Sequence, residues 1–347
     1  MDPVPVPEPE ERPAGHGRAA GTSRAAVPAP GVVVVAGEAL VDFVPAGSPG
    51  LFEAAPGGSP ANVAVGLARL KVPVRLLARI ADDLLGHRLR AHLAGNGVDL
   101  SRAVRAAEPT SLAIVAVGRD GGVEYDFRVQ GTADWQWRDQ ELASALDGGV
   151  VALHSGSLAL TMPPGADALQ RLLTRARQAV TVSYDPNCRP LLMGAPEAVR
   201  GRVERLVGLA DVVKASADDL AWLLPGRPPE QVAEAWLAKG LALVAVTLGP
   251  GGVVVAARQA GVLRRPGRGV TVADTVGAGD AFMSALLAGL QRRDLLGAGR
   301  RAALRAVSAA TLEEIADEAV LAAAITCTRH GADPPTLADL AAGLPVA

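Results

Sequence analysis

Five short apolar runs set the rhythm of the chain: residues 32–36, 150–153, 180–184, 211–214 and 241–247. Each is continuous and most are rich in β-branched side chains, which suits strands buried on both faces of a parallel sheet. Between and around them lie helical stretches, at 62–70, 84–96, 165–178, 196–209 and 229–239. Strands alternating with helices of this length predict βαβ units. The expected fold is α/β, a doubly wound, mainly parallel sheet flanked by helices. After Asp280 the chain reads as mostly Ala- and Leu-rich helix. Two stretches, 39–55 and 110–133, break the rhythm with alternating positions such as Leu112, Ile114 and then Tyr125, Phe127. The turn Arg119-Asp120-Gly121-Gly122 separates the latter pair, as in a hairpin. A small antiparallel element added to an α/β core predicts a lid over a cleft.

Composition narrows the class of protein. A chain of 347 residues can bury a sizeable core. Residues 1–30 hold seven of the 26 prolines and no aromatic residue. They are expected to form a disordered tail or an over-extended start of the reading frame, with the domain running from 31 to 347. Acidic residues precede any apolar run there, so a signal peptide is not expected. Lys and Arg total 34 against 36 Asp and Glu, a net charge of -2. That balance argues against nucleic-acid and membrane-surface partners. No apolar run reaches the ~18–20 residues of a membrane span. Cys188 and Cys327 form no CxxC pair, so a reducing, cytoplasmic setting is expected. The five histidines form no metal pattern.

Two glycine-rich segments carry the chemistry. In Asp274-Thr275-Val276-Gly277-Ala278-Gly279-Asp280 the small residues let backbone N–H groups approach an anion, and a helix follows with its positive end. A strand at 270–272 is expected before it. Asp280 sits where a carboxylate can face both this cradle and a nearby hydroxyl, the pairing a phosphoryl-transfer enzyme needs. Neither a Walker A loop nor a GxGxxG fingerprint is present. On spacing alone the segment is equally a helix start with an acid placed on its dipole. The second segment, Pro56-Gly57-Gly58-Ser59-Pro60-Ala61-Asn62, opens a helix, with Ser59 the expected cap and Asn62 an amide for a polyol ligand. Taken alone it is ordinary capping. Trp135 and Trp137 alternate as on a strand, and could line a sugar site or pack in the core.

Together the two segments resemble the two signature regions of the ribokinase-like (phosphofructokinase B) sugar kinases, and the resemblance extends over nearly the whole chain from 31 onward. Within that family, Tyr125-Asp126-Phe127-Arg128, Gly131-Thr132-Ala133-Asp134-Trp135, Asp185-Pro186-Asn187-Cys188-Arg189-Pro190 and Lys214-Ala215-Ser216-Ala217-Asp218-Asp219-Leu220 look like bacterial fructokinases. The resemblance implies a ribokinase-like fold and an ATP-dependent sugar kinase, with fructose the expected substrate. Alternatives are 2-keto-3-deoxygluconate, ribose, a nucleoside, or a non-catalytic sugar sensor. It implies that Asp280 is the base, with Gly277, Ala278 and Gly279 as the anion hole. Asp42, Gly58 and Asn62 would hold the sugar, joined by Arg128 from the lid. Asn187, Arg189, Ser216, Thr247, Gly249, Gly252 and Thr326 would line the nucleotide. Asp219, where the family has a carboxylate in Asn-x-x-Glu, would hold Mg2+ through water. Asp274 would neighbour a monovalent cation such as K+. A homodimer through the lid is also expected. Lys71 and Ala81 stand where the family pattern has glycines, which touches turn geometry more than chemistry.

Overall fold

The structure, a computed structural model, describes Met1 and residues 31–47, 50–117 and 123–344. The proline-rich tail and the 119–122 turn lie outside those residues. Fourteen strands are described: β1 (Val32–Ala36), β2 (Leu40–Pro45), β3 (Phe52–Gly57), β4 (Val74–Leu77), β5 (Arg79–Ala81), β6 (Val104–Ala106), β7 (Leu112–Val117), β8 (Val123–Arg128), β9 (Val150–Gly156), β10 (Thr181–Asp185), β11 (Val212–Ser216), β12 (Leu243–Thr247), β13 (Val253–Ala257) and β14 (Gly261–Arg265). The helices are α1 (Ser59–Arg69), α2 (Leu84–Gly95), α3 (Ala166–Ala179), α4 (Pro190–Met193), α5 (Pro196–Leu209), α6 (Ala217–Leu223), α7 (Pro229–Ala238), α8 (Ala278–Arg292), α9 (Arg301–Arg305), α10 (Ala309–Cys327) and α11 (Leu337–Ala342).

The five apolar runs all become strands of one sheet, in the order β14-β13-β12-β11-β10-β9-β1-β4. Strands β4, β1, β9, β10, β11 and β12 are parallel, and β13 and β14 close the far edge as antiparallel strands. Burial on both faces explains the continuous valines of β1. Val33 and Val35 pack with α1, α8 and α10 on one side, while Val34 and Ala36 pack with α3, α5 and α7 on the other. The order of connections reverses between β1 and β9. That switch point, at the carboxyl ends of the strands, is where such sheets hold ligands. No helix among the described residues is long and apolar enough to cross a membrane.

The alternating stretches form a separate four-stranded sheet, ordered β3-β2-β7-β8. Val41 and Phe43 turn toward the core, while Asp42, the residue between them, faces the opposite side. Its stems meet at one buried group. The Asp134 carboxylate accepts the Ala39 N–H just before β2 and the Ser111 hydroxyl just before β7. Glu38, equally buried, accepts the Ala159 N–H over 3.2 Å. Burial pushes both carboxyls up to about 7, against the hydrogen bonds of Ser157 and Ser111, with Asp134's charge adding to the rise at Glu38. The folded chain therefore binds these protons more tightly than the unfolded chain does. Stability from this source is full below about pH 4 and is lost as pH rises toward about 7. The melting temperature should be several degrees lower at pH 8 than at pH 5, and Glu38→Gln and Asp134→Asn should each flatten the slope. A thermal melt series that is flat in wild type would contradict this.

Three expectations need correction. Residues 270–272 form no strand: β-branched residues without a neighbouring ladder do not pair, and Val272 is 56% exposed. Trp135 and Trp137 do not alternate on a strand. The chain makes a 3₁₀ turn at Ala133–Trp135, and both rings are buried in the core, so the packing reading holds. Ser59 does not cap its helix. Gly58 takes the cap position, with φ 99° and no side-chain bond.

Candidate active site

Helix packing brings the two glycine segments together. A Cβ on Gly66 of α1 would lie 2.3 Å from Ser284 Oγ of α8, so the missing side chain is what lets these helices approach. One turn earlier on each helix, the same approach sets Asn62 against Asp280. Asn62 Nδ2 donates to Asp280 Oδ2 over 2.9 Å, and Ser59 Oγ donates to Oδ1 over 2.7 Å. Asp280 lies in the first turn of α8, largely buried at 7% exposure. A carboxylate there is favoured by the helix dipole.

Ahead of it lies the segment Gly277-Ala278-Gly279. Gly277 is left-handed, φ 75°, and a Cβ there would meet Ala332 at 2.7 Å. The Ala278 N–H leans on the Thr275 carbonyl at 3.3 Å, a weak bond that an anion could replace. Gly279 faces a lysine of β11. A Cβ on Gly279 would sit 2.8 Å from the Lys214 ammonium. Lys214 is buried and donates to Asp185 Oδ2 over 2.9 Å. Burial alone would pull its pKa down, but the charges of Asp185 and Asp219 outweigh that and raise it. It therefore remains a cation beneath the cradle. A lysine inside the apolar run Val212-Val213-Lys214-Ala215 was the available signal, because a buried cation needs a carboxylate partner.

Asp42, at half-buried β2, turns toward the same cleft. Burial pushes its carboxyl up to about 6; Arg189 pulls it down and the Asp280 charge adds to the rise. Those charges place Asp42 within electrostatic reach of both residues. Gly57 makes the room, since a Cβ there would lie 2.0 Å from Asp42 Oδ2. Gly58 lets the backbone of α1's cap pass Glu38, whose carbonyl a Cβ would strike at 2.6 Å.

Arg128 does not join them. It stands in the register row of Val41 and Leu112, one residue out of step with Asp42, so it projects from the opposite face of the four-stranded sheet. There it pairs with Asp126 over 2.6 Å, both side chains more than half exposed. Sequence spacing could not reveal this, because register is set by pairing.

The remaining residues follow the carboxyl ends of β10, β11 and β12. Asn187 is left-handed, φ 38°, with its N–H on Asp185 Oδ1. Arg189 is exposed and curls back onto Asn187 Oδ1 over 2.7 Å. Ser216 caps α6 in a reciprocal box with Asp219. Asp219 is already engaged. Oδ1 accepts the Cys188 N–H over 2.6 Å, and Oδ2 accepts the Ser216 N–H and hydroxyl. Burial and the Asp219 charge push the Cys188 thiol well above its ordinary range, which leaves it inert as a nucleophile. Thr247 ends β12, its hydroxyl 3.4 Å from the Ala215 carbonyl, and Gly249 and Gly252 shape the turn into β13. Gly252, φ 87°, admits the Arg265 carbonyl where a Cβ would lie 2.1 Å from it. Thr326 is fully buried in α10, its hydroxyl spent on the Ala322 carbonyl, so it offers a nucleotide no polar contact in this form. Asp274 fastens two loops, accepting the Val276 and Gly331 N–H groups. Among the described residues no group of three or more His, Cys, Asp or Glu side chains is arranged to hold a metal.

The chain is similar to known proteins. The family model for pfkB family carbohydrate kinases matches residues 32–339. A fructokinase of Rhizobium leguminosarum bv. trifolii is 33% identical over 269 residues, 76% of this chain and 81% of that protein. The crystal structure of a Xylella fastidiosa fructokinase with bound ATP superposes with a TM-score of 0.82 at 29% identity, over 90% of this chain and 97% of that one. A Vibrio cholerae fructokinase bound to fructose, ADP and calcium gives 0.77 at 30% identity, over 91% and 99%.

Proposed function

We propose that this chain, which belongs to the pfkB family of carbohydrate kinases, transfers the γ-phosphoryl group of ATP to fructose, giving fructose 6-phosphate and ADP. The observation that carries the reading is the meeting of Asp280, at the first turn of α8, with Ser59 and Asn62 of α1, beside the glycine cradle and within reach of Asp42's charge. The fructose-bound relative supports the choice of sugar.

In this reading the sugar's acceptor hydroxyl lies against Asp280. Its oxygen bonds to the γ-phosphorus, its proton passes to the Asp280 carboxylate, and the bridging oxygen leaves with ADP. The Gly277, Ala278 and Gly279 backbone and the Lys214 ammonium face the negative charge of the transferring group. Asp42, Gly58 and Asn62 hold the other sugar hydroxyls. Asn187, Arg189, Ser216, Thr247, Gly249 and Gly252 line the nucleotide, with α10 near Thr326 as an apolar wall. Mg2+ would neutralise phosphate charge. Asp219 would hold it through a water: Oδ2 already accepts two hydrogen bonds, Oδ1 accepts the Cys188 N–H, and Mg2+ keeps much of its hydration. Each Asp274 oxygen holds one N–H and keeps a lone pair for a monovalent cation such as K+.

The sheet β3-β2-β7-β8 is read as a lid that closes on the sugar through Asp42. Leu51 and Phe52, 60% and 46% exposed at the tip of its first hairpin, favour a second copy as cover. Phosphorylation assays over ketoses, aldoses, nucleosides and 2-keto-3-deoxygluconate test the substrate. Fructose should give the highest kcat/KM, and a tenfold preference for another acceptor would overturn the assignment.

Asp42→Ala should raise the fructose KM roughly 5- to 150-fold, the equivalent of about 1–3 kcal/mol for a lost buried hydrogen-bond partner. The KM for ATP should hardly move. In wild type the fructose KM should also rise as pH falls through about 6, where this carboxylate takes up its proton. Equal losses for both substrates would make Asp42 structural.

A further inference from the structure

We infer that Ser59 is the positioning residue that orients the catalytic carboxylate, an assignment that rests on Asp280 being the general base. Ser59 opens α1 but does not cap it, and no side-chain capping bond forms at that helix. Its hydroxyl is directed across to α8, where it donates to Asp280 Oδ1 over 2.7 Å. Asn62, nearly one turn on, donates to Oδ2 over 2.9 Å. Each oxygen of the carboxylate thus receives a donor from the same helix.

That arrangement has a specific consequence. The Asp side-chain torsion next to the carboxylate is broad, so the backbone of α8 alone does not fix the plane of the two oxygens. One donor leaves the carboxylate free to turn about the bonded oxygen, whereas two donors a helical turn apart fix the plane. Ser59 and Asp280 are both largely buried, at 8% and 7% exposure, so water is poorly placed to replace the hydroxyl. The seat is also stiff. Pro60 follows Ser59 at the start of the helix, and the contact of Gly66 with Ser284 sets the distance between α1 and α8. Each carboxylate oxygen keeps a further lone pair, so a substrate hydroxyl can reach Asp280 without displacing Ser59. Ser59 therefore acts on the base rather than on the sugar, and its loss should appear in kcat rather than in KM.

The test compares Ser59→Ala, Ser59→Thr and Asp280→Asn in steady-state assays with fructose and ATP. Ser59→Ala should lower kcat about tenfold, with both KM values within twofold of wild type. Ser59→Thr, which keeps the hydroxyl, should return kcat to within threefold. The inference is overturned by a Ser59→Ala kcat within twofold of wild type, by a loss that Ser59→Thr does not restore, or by a rise in fructose KM at unchanged kcat. The last outcome would make Ser59 a sugar ligand. Asp280→Asn separates the two readings. If it keeps its kcat, the base assignment itself is wrong. If it is inactive while Ser59→Ala is normal, only the role of Ser59 falls.

Discussion

Replacing Asp280 by Asn should lower kcat by about 10²–10⁴, the usual contribution of a positioned general base. The amide keeps the shape of the carboxylate but cannot take up the hydroxyl proton at neutral pH. Ser59 and Asn62 both donate to Asp280, so the variant must take the Asn62 N–H on its amide oxygen and donate its own N–H to the Ser59 hydroxyl, which reverses one contact at a local cost. That local cost falls at the reacting group, away from the nucleotide turns at 247–252 and the loop at 185–189. Substrate affinities should therefore change little while turnover collapses. Single-turnover measurement of fructose phosphorylation separates the two. A rate constant within a few-fold of wild type would remove Asp280 from its role.

The largest stability effect should come from Lys214→Met. The Lys214–Asp185 pair is almost wholly buried, with side-chain exposures of 4% and 1%. Removing the cation leaves the Asp185 carboxylate without its partner in a nearly dry interior. Such a break costs about 3–5 kcal/mol, more than the gain from a well-packed thioether. The melting temperature should fall by about 4–7 °C for a chain of this size. Adding Asp185→Asn to Lys214→Met should restore a good part of the loss, since the uncompensated charge is then gone. A single variant that melts within 2 °C of wild type, or a double variant no better than the single, would show that the pair is not what holds this end of the sheet.

Much of the fold was legible because its signals are local. The continuous valines of β1 announce a strand with no wet face, and each of the five apolar runs became a strand of the main sheet within a residue or two, save that β9 extends three residues beyond its run, to Gly156. Glycines 57, 58 and 277 mark places where the chain must approach closely, which no side chain permits. The motif residues Asp280 and Asn62 were identifiable because their neighbours in sequence dictate a helix start.

Other features depended on partners far away in the chain. Ser59 looked like a helix cap because the sequence shows only its own helix, and Asp280 lies 221 residues further on. Lys214 gave a faint signal, a charge within an apolar strand, but its pairing with Asp185 depends on the adjacency of β10 and β11. Arg128 and Asp42 sit on strands expected to form one lid, yet strand register put them on opposite faces. Residues 270–272 had strand-like composition and found no strand to pair with. By itself, then, the sequence determined the elements, the two glycine turns and the kind of chemistry, since each of these is written in residues near one another. Only the tertiary structure decided which donors hold the Asp280 carboxylate, which cation lies beside Gly279 and which face of the small sheet Asp42 and Arg128 each take. Those depend on sheet order, register and the distance between two helices, and none of these is a property of a local stretch of chain.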